Sequence, residues 1–260
     1  MRIYVCVKHV PDTAAKITIL GKNRIDARVT FIMNPYDENA VEEAVRIKRD
    51  VGDAEVIAVT LGQQAAESTL RSALAMGADR GIFIKTDDHP DSMITAAALK
   101  AAIELDGKPG IIFTGQESID SEGFQTMYRL AANFGIPAAS NVVSLSLEPD
   151  TIIVEYELEA GAREVVEISL PCVIGAGKSL NKPNYPTLPA IMKARKKEIK
   201  QIDLASLNLE KPTGRVEIIE LKPAVEARRA RELTGTPDEV AGEIVRILRD
   251  EVRILPLEVK

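Results

Sequence analysis

The stretch Val56-Ile57-Ala58-Val59-Thr60-Leu61-Gly62 is a short run of apolar, largely β-branched residues that ends in a glycine. An amphipathic helical pattern from Ala65 to Met76 follows it, and Gly77 closes that pattern. Strands that are buried on both faces read as continuous apolar runs, because helices cover both sides of a parallel sheet. The stretch therefore predicts one strand–helix unit of an α/β protein.

The same alternation extends in both directions from this unit. Strands are predicted at Ile3–Val7, Gly81–Lys85 and Ile111–Thr114, and helices at Asp37–Arg49, Ser92–Leu105 and Gln125–Phe134. A chain that alternates strand and helix in this way builds an open, doubly wound, mainly parallel sheet with right-handed crossovers. The prediction is a Rossmann-like α/β fold.

The rhythm changes after Pro137. Three closely spaced strand candidates follow, at Asn141–Leu147, Thr151–Leu158 and Glu164–Leu170, and residues 170–175 read as a further core strand. Glutamates alternate with apolar residues in the second candidate, and Gly161 favours a hairpin turn after it. This part of the chain predicts a small β-ribbon with one face in water.

The last sixty residues have few apolar side chains, so they have little core of their own. Thr236-Pro237-Asp238-Glu239 is typical of a helix start and predicts one final helix. We expect an α/β domain over 1–199, which includes the loop 176–189, and a C-terminal arm over 200–260. Such an arm packs on the same domain or on another chain.

Composition excludes several classes of protein. The apolar runs are too short for a transmembrane helix, and the first residues lack the apolar core of a signal peptide. The two cysteines, Cys6 and Cys172, lie in predicted strands, which favours a reducing, cytoplasmic setting. A net charge of −6 disfavours general binding of nucleic acid, and the few cysteines and histidines lack metal-site spacing.

The most suggestive loop for ligand binding is Gly115–Thr126, which follows a predicted strand and leads into a helix. In open α/β sheets ligands bind beyond the carboxyl ends of the strands, and a helix N-terminus attracts phosphate. The loop has neither a Walker sequence nor the dinucleotide fingerprint. Two interpretations therefore stay open: a phosphate site to which Gln125 and Thr126 add donors, or an ordinary loop capped by Asp120 or Ser121.

Other candidates for chemistry are weaker. His9 follows the first strand, Cys6 lies inside it, and the serines Ser118 and Ser121 have no histidine and aspartate in a triad-like context. No acid–base pair follows from spacing alone. A binding or carrier role fits the sequence better than self-contained catalysis.

A second unusual stretch is the Pro- and Asn-rich loop that contains Leu180. Leu180 is the only large aliphatic side chain in the middle of this polar loop, and a basic series follows at Lys193, Arg195, Lys196 and Lys197. The leucine is either displayed for a partner or folded back into the core. The sequence does not distinguish the two.

Five segments together resemble the β subunit of electron transfer flavoproteins over most of the chain. They are Val5–Asp12, Met33–Asp37 with Ala40–Ala44, Ala73–Arg80, Gly115–Thr126, and Leu180–Tyr185 with Leu188–Ala194. The resemblance implies a heterodimer with an α subunit that carries most of the FAD site. It also implies an adenine nucleotide in this chain, which is AMP in simple carriers and a second FAD in members that bifurcate electrons from NADH.

By resemblance, the nucleotide pocket would be lined by Cys6, Val7, Asn34, Pro35, Tyr36, Asp37, Thr60, Leu61, Gly115, Gln116, Asp120, Ser121, Glu122, Gly123, Phe124, Gln125 and Thr126. Two of these depart from the family pattern of small residues. Glu122 adds negative charge beside the expected phosphate, and Phe124 adds bulk.

The resemblance also gives the loop a role in recognition, with Leu180, Asn181, Lys182, Pro183 and Tyr185 docking an acyl-CoA dehydrogenase or a similar flavoenzyme. Electrons would pass on to a quinone reductase or another acceptor, and the arm from residue 200 would wrap around the α subunit. The alternative is a stand-alone nucleotide sensor of the universal-stress type. Such a sensor needs neither a rigid leucine loop nor a long tail.

Overall fold

The computed structural model describes residues 1–26, 28–209, 216, 218–223 and 231–254. The strands within these residues are, in chain order, β1 (Arg2–Cys6), β2 (His9–Pro11), β3 (Ile19–Leu20), β4 (Arg24–Ile25), β5 (Phe31–Met33), β6 (Glu55–Gly62), β7 (Arg80–Lys85), β8 (Ile111–Gly115), β9 (Ala138–Leu147), β10 (Thr151–Glu157), β11 (Arg163–Ser169), β12 (Cys172–Ala176) and β13 (Ile199–Asp203). The helices are α1 (Pro35–Val51), α2 (Glu67–Met76), α3 (Ser92–Asp106), α4 (Thr126–Phe134), α5 (Leu188–Ala194) and α6 (Pro237–Arg246).

The described part of the chain forms one nine-stranded sheet in the order β11-β10-β9-β12-β8-β1-β6-β7-β13. The seven neighbouring strands β9-β12-β8-β1-β6-β7-β13 of this order all pair parallel. At the other end of the sheet, β10 pairs antiparallel with both β9 and β11. The predicted doubly wound α/β fold with a β-ribbon is therefore confirmed. The chain moves from β1 outward to β7 and then crosses back to β8, so the switch in strand order lies between β1 and β8.

Two apolar layers enclose this sheet. Successive side chains of a strand point to opposite faces, so Ile3 and Val5 of β1 pack with α1 and α2, whereas Tyr4 and Cys6 pack with α3 and α4. Burial on both faces explains why the core strands read as continuous apolar runs. The carboxyl ends of β1 and β8 are thereby held side by side at one edge of a rigid scaffold.

Several elements were not predicted. Residues 9–33 form two small antiparallel pairs, β2 with β5 and β3 with β4. Strand β13 extends the main sheet along β7, and Leu207 just beyond it is buried in the core. Consequently the first compact unit runs from Met1 to Leu221, whereas the sequence analysis placed the boundary at residue 200.

The second unit is Lys222–Lys260. Its helix α6 begins with a capping box in which the side chains of Thr236 and Glu239 bond each other's backbone N–H groups, so the predicted helix start is confirmed. The rest of the expected arm at 210–215, 217, 224–230 and 255–260 lies outside the described residues. Among the described helices, none has the length and apolar character needed to cross a membrane.

Candidate functional site

A buried carboxylate, Asp37, joins three elements at the switch in strand order. Its oxygens accept hydrogen bonds from the backbone N–H of Lys8 after β1 (2.7 Å), the backbone N–H of Gly115 at the end of β8 (2.9 Å) and the side-chain amide of Asn34 (2.9 Å). Asn34 in turn donates to the carbonyl of Glu117 and accepts from the N–H of Ile119. Asp37 and Asn34 therefore fix the start of the loop that follows β8.

Gly115 is needed for this close approach. A Cβ atom at this position would lie 2.4 Å from Oδ1 of Asp37 and 2.7 Å from Cβ of Tyr36. Any other residue would push α1 away from β8. Gly115 therefore allows close packing of α1 against β8, in addition to ending the strand.

Burial shifts the ionisation of the groups at this edge. Removal from water raises the pKa of Asp37 to about 7, although its hydrogen bonds with Asn34, Lys8 and Gly115 act to lower it. Burial, with a smaller effect of Asp37, also raises the pKa of the Cys6 thiol. Cys6 is a core side chain facing α3 and α4, which agrees with a structural role rather than a nucleophilic one.

Lys8 belongs to the segment Val5–Asp12 that carries the resemblance, but it was not predicted as a site residue. Its ammonium group donates to Oδ1 of Asp120 (2.6 Å), Oγ of Ser118 (3.1 Å) and Oγ of Ser121 (3.4 Å). The two serine hydroxyls lie 2.8 Å apart. The Lys8 ammonium group is therefore bound to the loop after β8 by the side chains of Ser118, Asp120 and Ser121.

The helix that follows this loop, α4, lacks a side-chain cap at its N-terminus within the described part of the chain. Gln125 occupies the N-cap position of α4, and no side chain among the described residues caps the first turn. The carboxylate of Asp120 binds Lys8 and the side chain of Gln125 accepts from Arg129, so neither Asp120 nor Ser121 caps the helix. The expected cap by Asp120 or Ser121 is therefore wrong, and the phosphate site stays a prediction.

The middle of the loop is exposed and has unusual backbone angles. Glu122 and Phe124 have φ values of 45° and 49°, in the left-handed region that side chains seldom adopt. The Phe124 ring lies 6.0 Å from the ring of Tyr128 on α4. Gly123 lies between Glu122 and Phe124 in the chain, and a Cβ atom added there would have no other atom of the described residues within 4 Å. Both departures from the family pattern therefore lie at the outer rim of the loop.

The remaining predicted pocket residues lie along the same sheet edge. Thr60 at the end of β6 donates its hydroxyl to the carbonyl of Val7 (2.6 Å), and Leu61 packs on the α3–α4 side of the core. Pro35 and Tyr36 begin α1, where the ammonium of Lys178 lies 5.4 Å from the Tyr36 ring centroid. The side-chain oxygen of Gln116 is buried without a hydrogen-bond partner among the described residues.

The loop around Leu180 is anchored to α1. Leu180 is half-buried and packs against the core. Its docking role, which the family resemblance implies, stays a prediction. The amides of Asn181 and Asn39 bond each other's backbone carbonyls (2.9 and 3.0 Å), and Asn184 binds the Glu42 carboxylate. Leu180 thus attaches the loop to the core by apolar packing. The asparagines attach the loop to α1 by hydrogen bonds.

A different set of apolar side chains faces solvent after this anchor. We call Tyr185, Leu188, Ile191 and Met192 the docking face; Tyr185 is 95% exposed and Leu188 73%. The last three lie at i, i+3 and i+4 spacing and so share one side of α5. Lys193, Arg195 and Lys196 are exposed beside them, and Lys182 and Pro183 lie in the preceding loop.

Comparison with known proteins agrees with this geometry. The model of the electron transfer flavoprotein domain matches residues 24–207. An electron transfer flavoprotein subunit beta from Bacillus subtilis is 35% identical over 98% of this chain and 100% of its own length. The chain belongs to the electron transfer flavoprotein β-subunit family. Family members of the same name from Arabidopsis thaliana (mitochondrial) and Thermoanaerobacterium thermosaccharolyticum are 36% and 39% identical, over 94% and 81% of this chain.

Membership of this family makes the chain part of a flavoprotein that transfers electrons. The described residues contain no cluster of histidine, cysteine or carboxylate side chains that would hold a metal ion. The groups that the site offers instead are one cation, two hydroxyls and the first turn of α4. These groups suit a phosphate.

Proposed function

We propose that this chain is the β subunit of a heterodimeric electron carrier and that it holds an adenine nucleotide at the switch in strand order. Two observations carry the nucleotide site: the Lys8 ammonium binds the loop after β8, and the first turn of α4, into which that loop leads, has no side-chain cap from the residues that the structure describes. Each of these groups favours an anion. The FAD shared with the α subunit supplies the redox chemistry when bound.

Each group in the pocket then has a specific task. Lys8 and the first turn of α4 hold the phosphate, while Ser118 and Ser121 supply hydroxyl donors. Asp120 neutralises Lys8 when no phosphate is present, and the two anions compete for one cation. Asp37 and Asn34 fix the loop without reaching the ligand. The end of β1 and Thr60–Leu61 are left for the nucleoside.

The docking face is the second half of the proposal. Four apolar side chains on an anchored loop and a short helix, next to exposed cations, suit a partner with an apolar pocket and an acidic rim. We propose that this partner is a flavin dehydrogenase, such as an acyl-CoA dehydrogenase. The carrier then delivers the electrons to a quinone reductase or another acceptor. Leu188 is the more exposed of the two leucines, and we propose it as a second anchor beside Leu180, which the resemblance implies.

The nucleotide content of the purified heterodimer tests the proposal. The chain is co-expressed with its α subunit, denatured, and its FAD and AMP are counted by chromatography. We expect one FAD and one AMP per heterodimer. Two FAD molecules would instead indicate an electron-bifurcating member, and the absence of any nucleotide beyond the shared FAD would contradict the site at α4.

A matched pair of variants assigns that nucleotide to the site. Lys8→Met removes the cation and should lower the AMP content severalfold, whereas Lys100→Met removes a lysine that pairs with Glu104 on α3 and should leave it unchanged. Unchanged AMP content in Lys8→Met would contradict the role of Lys8. A chain that never copurifies with a yellow partner would favour the stand-alone nucleotide sensor.

A further inference from the structure

Helix α5, which carries most of the docking face, has little to hold it in place. It is seven residues long, and Ala194 is its only fully buried side chain. Isolated helices this short are unstable in water. Thr187 caps its N-terminus through the N–H of Ala190, but the contact is long at 3.4 Å. Some other interaction must therefore fix the C-terminal end of the helix.

Arg71 of α2 supplies one such interaction. Its Nη1 atom donates to three backbone acceptors at and just after the end of α5: the carbonyls of Ala194 (3.1 Å), Arg195 (3.4 Å) and Lys197 (2.8 Å). Its Nη2 atom binds the Glu67 carboxylate at 3.0 Å, which orients the guanidinium. A helix C-terminus presents carbonyls without partners and a negative dipole end, so a guanidinium there satisfies both.

Lys197 makes the reciprocal interaction. It follows α5, and its ammonium group donates to the carbonyls of Leu74 (2.9 Å) and Ala78 (2.5 Å) at the C-terminal end of α2. Lys197 is the one member of the basic series that turns inward and is half-buried, while Lys193, Arg195 and Lys196 face solvent. Each helix therefore contributes a cation that caps the end of the other.

We propose that Arg71 and Lys197 form a clamp, here called the carbonyl clamp, that positions the docking face for the dehydrogenase; this inference rests on the proposed docking function. The clamp touches neither the partner nor a cofactor, so both residues are positioning residues. A preorganised surface loses less conformational entropy on binding than a mobile one. Affinity for the dehydrogenase thus depends on two side chains outside the contact surface.

The first experiment measures the clamp itself. Arg71→Met retains the aliphatic stem and removes the donors, and Arg163→Met is the matched control, an arginine that pairs with Glu155 in the β-ribbon. Hydrogen exchange followed by mass spectrometry on the heterodimer should show faster exchange at residues 191–197 in Arg71→Met. Exchange there should be unchanged in Arg163→Met. Wild-type exchange rates in Arg71→Met would overturn the clamp.

The second experiment measures docking with the acyl-CoA dehydrogenases encoded in the same genome. We expect Arg71→Met to raise the KM for the heterodimer about threefold to tenfold with kcat unchanged, because ordering α5 becomes part of the binding cost. Lys197→Met should act in the same direction. Arg71→Lys, which keeps one cationic donor, should recover part of the loss.

A third variant separates the clamp from the docking function on which it rests. Leu188→Ala should raise the same KM while leaving hydrogen exchange of α5 unchanged. If Leu188→Ala has no effect on KM, the proposed docking face fails. If Leu188→Ala raises KM but Arg71→Met and Lys197→Met do not, the docking face stands and the clamp is wrong.

Discussion

At the scale of single residues, Asp37 has the greatest influence on the site, and its charge depends on pH. Its pKa is about 7 in the folded chain and near 3.8 in an unfolded one. Between these values the folded chain keeps a proton that the unfolded chain releases, so the free energy of unfolding falls as pH rises from about 4 to about 7. The full effect of one proton is at most about 1.4 kcal/mol per pH unit.

The variant Asp37→Asn tests this linkage, because an amide does not titrate. Urea unfolding at several pH values between 4.5 and 7.5 should show a smaller loss of stability with rising pH than in the wild type. Asp87→Asn, which replaces an exposed carboxylate, should keep the wild-type slope. Equal slopes in all three proteins would mean that Asp37 is ionised throughout the range.

The residues of the site were predictable to different degrees. Asp37, Asn34 and Gly115 belong to motifs that the resemblance quoted, and the structure brings them together. Lys8 has no signature of its own, because a lysine after a strand is common and its partners lie more than a hundred residues away. Leu180 and Leu188 both lie in the same Pro-rich stretch, and only packing against the core distinguishes the anchored one from the exposed one.

At the scale of elements, the loop and α5 divide their work between Leu180 and Leu188. Leu180→Ala should lower the free energy of unfolding by about 1–2 kcal/mol, less than for a fully buried leucine, since the side chain is only half-buried. It should change the KM for the dehydrogenase less than Leu188→Ala does. Leu188→Ala should leave stability unchanged, because its side chain is 73% exposed.

Urea unfolding and steady-state kinetics on the same preparations check this division. A Leu188→Ala protein that unfolds more easily than Leu180→Ala would show that the two roles are reversed. A Leu180→Ala protein of normal stability with a large rise in KM would show that Leu180 is the main docking side chain.

The core elements could be predicted because each carries a long enough pattern. Strand β6 and helices α1 to α4 have clear apolar periodicity, and their observed bounds lie within two residues of the predicted ones. Strands β2 to β5 have only two or three residues each, too few to show a period of two. Strand β13 lies at an edge and has two isoleucines three positions apart among polar residues, so it shows no period of two, and only its pairing with β7 assigns it to the sheet.

At the scale of the whole molecule, the first unit ends in a segment that a monomer leaves exposed. Val216, Ile218 and Ile219 are apolar, and Ile219 is 83% exposed. The N–H of Leu221 donates to the carbonyl of Lys22, which holds the segment beside the hairpin of β3 and β4. Exposed apolar groups in a row favour burial against another chain. The sequence analysis expected the α subunit to cover this part of the chain.

The variant Ile219→Ser tests whether the α subunit buries this segment in the heterodimer. Loss of one buried isoleucine side chain should weaken the heterodimer by about 1–3 kcal/mol, which raises Kd by roughly fivefold to 150-fold. Leu105→Ser is the matched control, because Leu105 on α3 is also an exposed aliphatic side chain, at 65%. Sedimentation of the two heterodimers over a dilution series measures both constants. If Ile219→Ser and Leu105→Ser bind the α subunit equally well, the α subunit does not contact Ile219, and the exposed row must serve another partner.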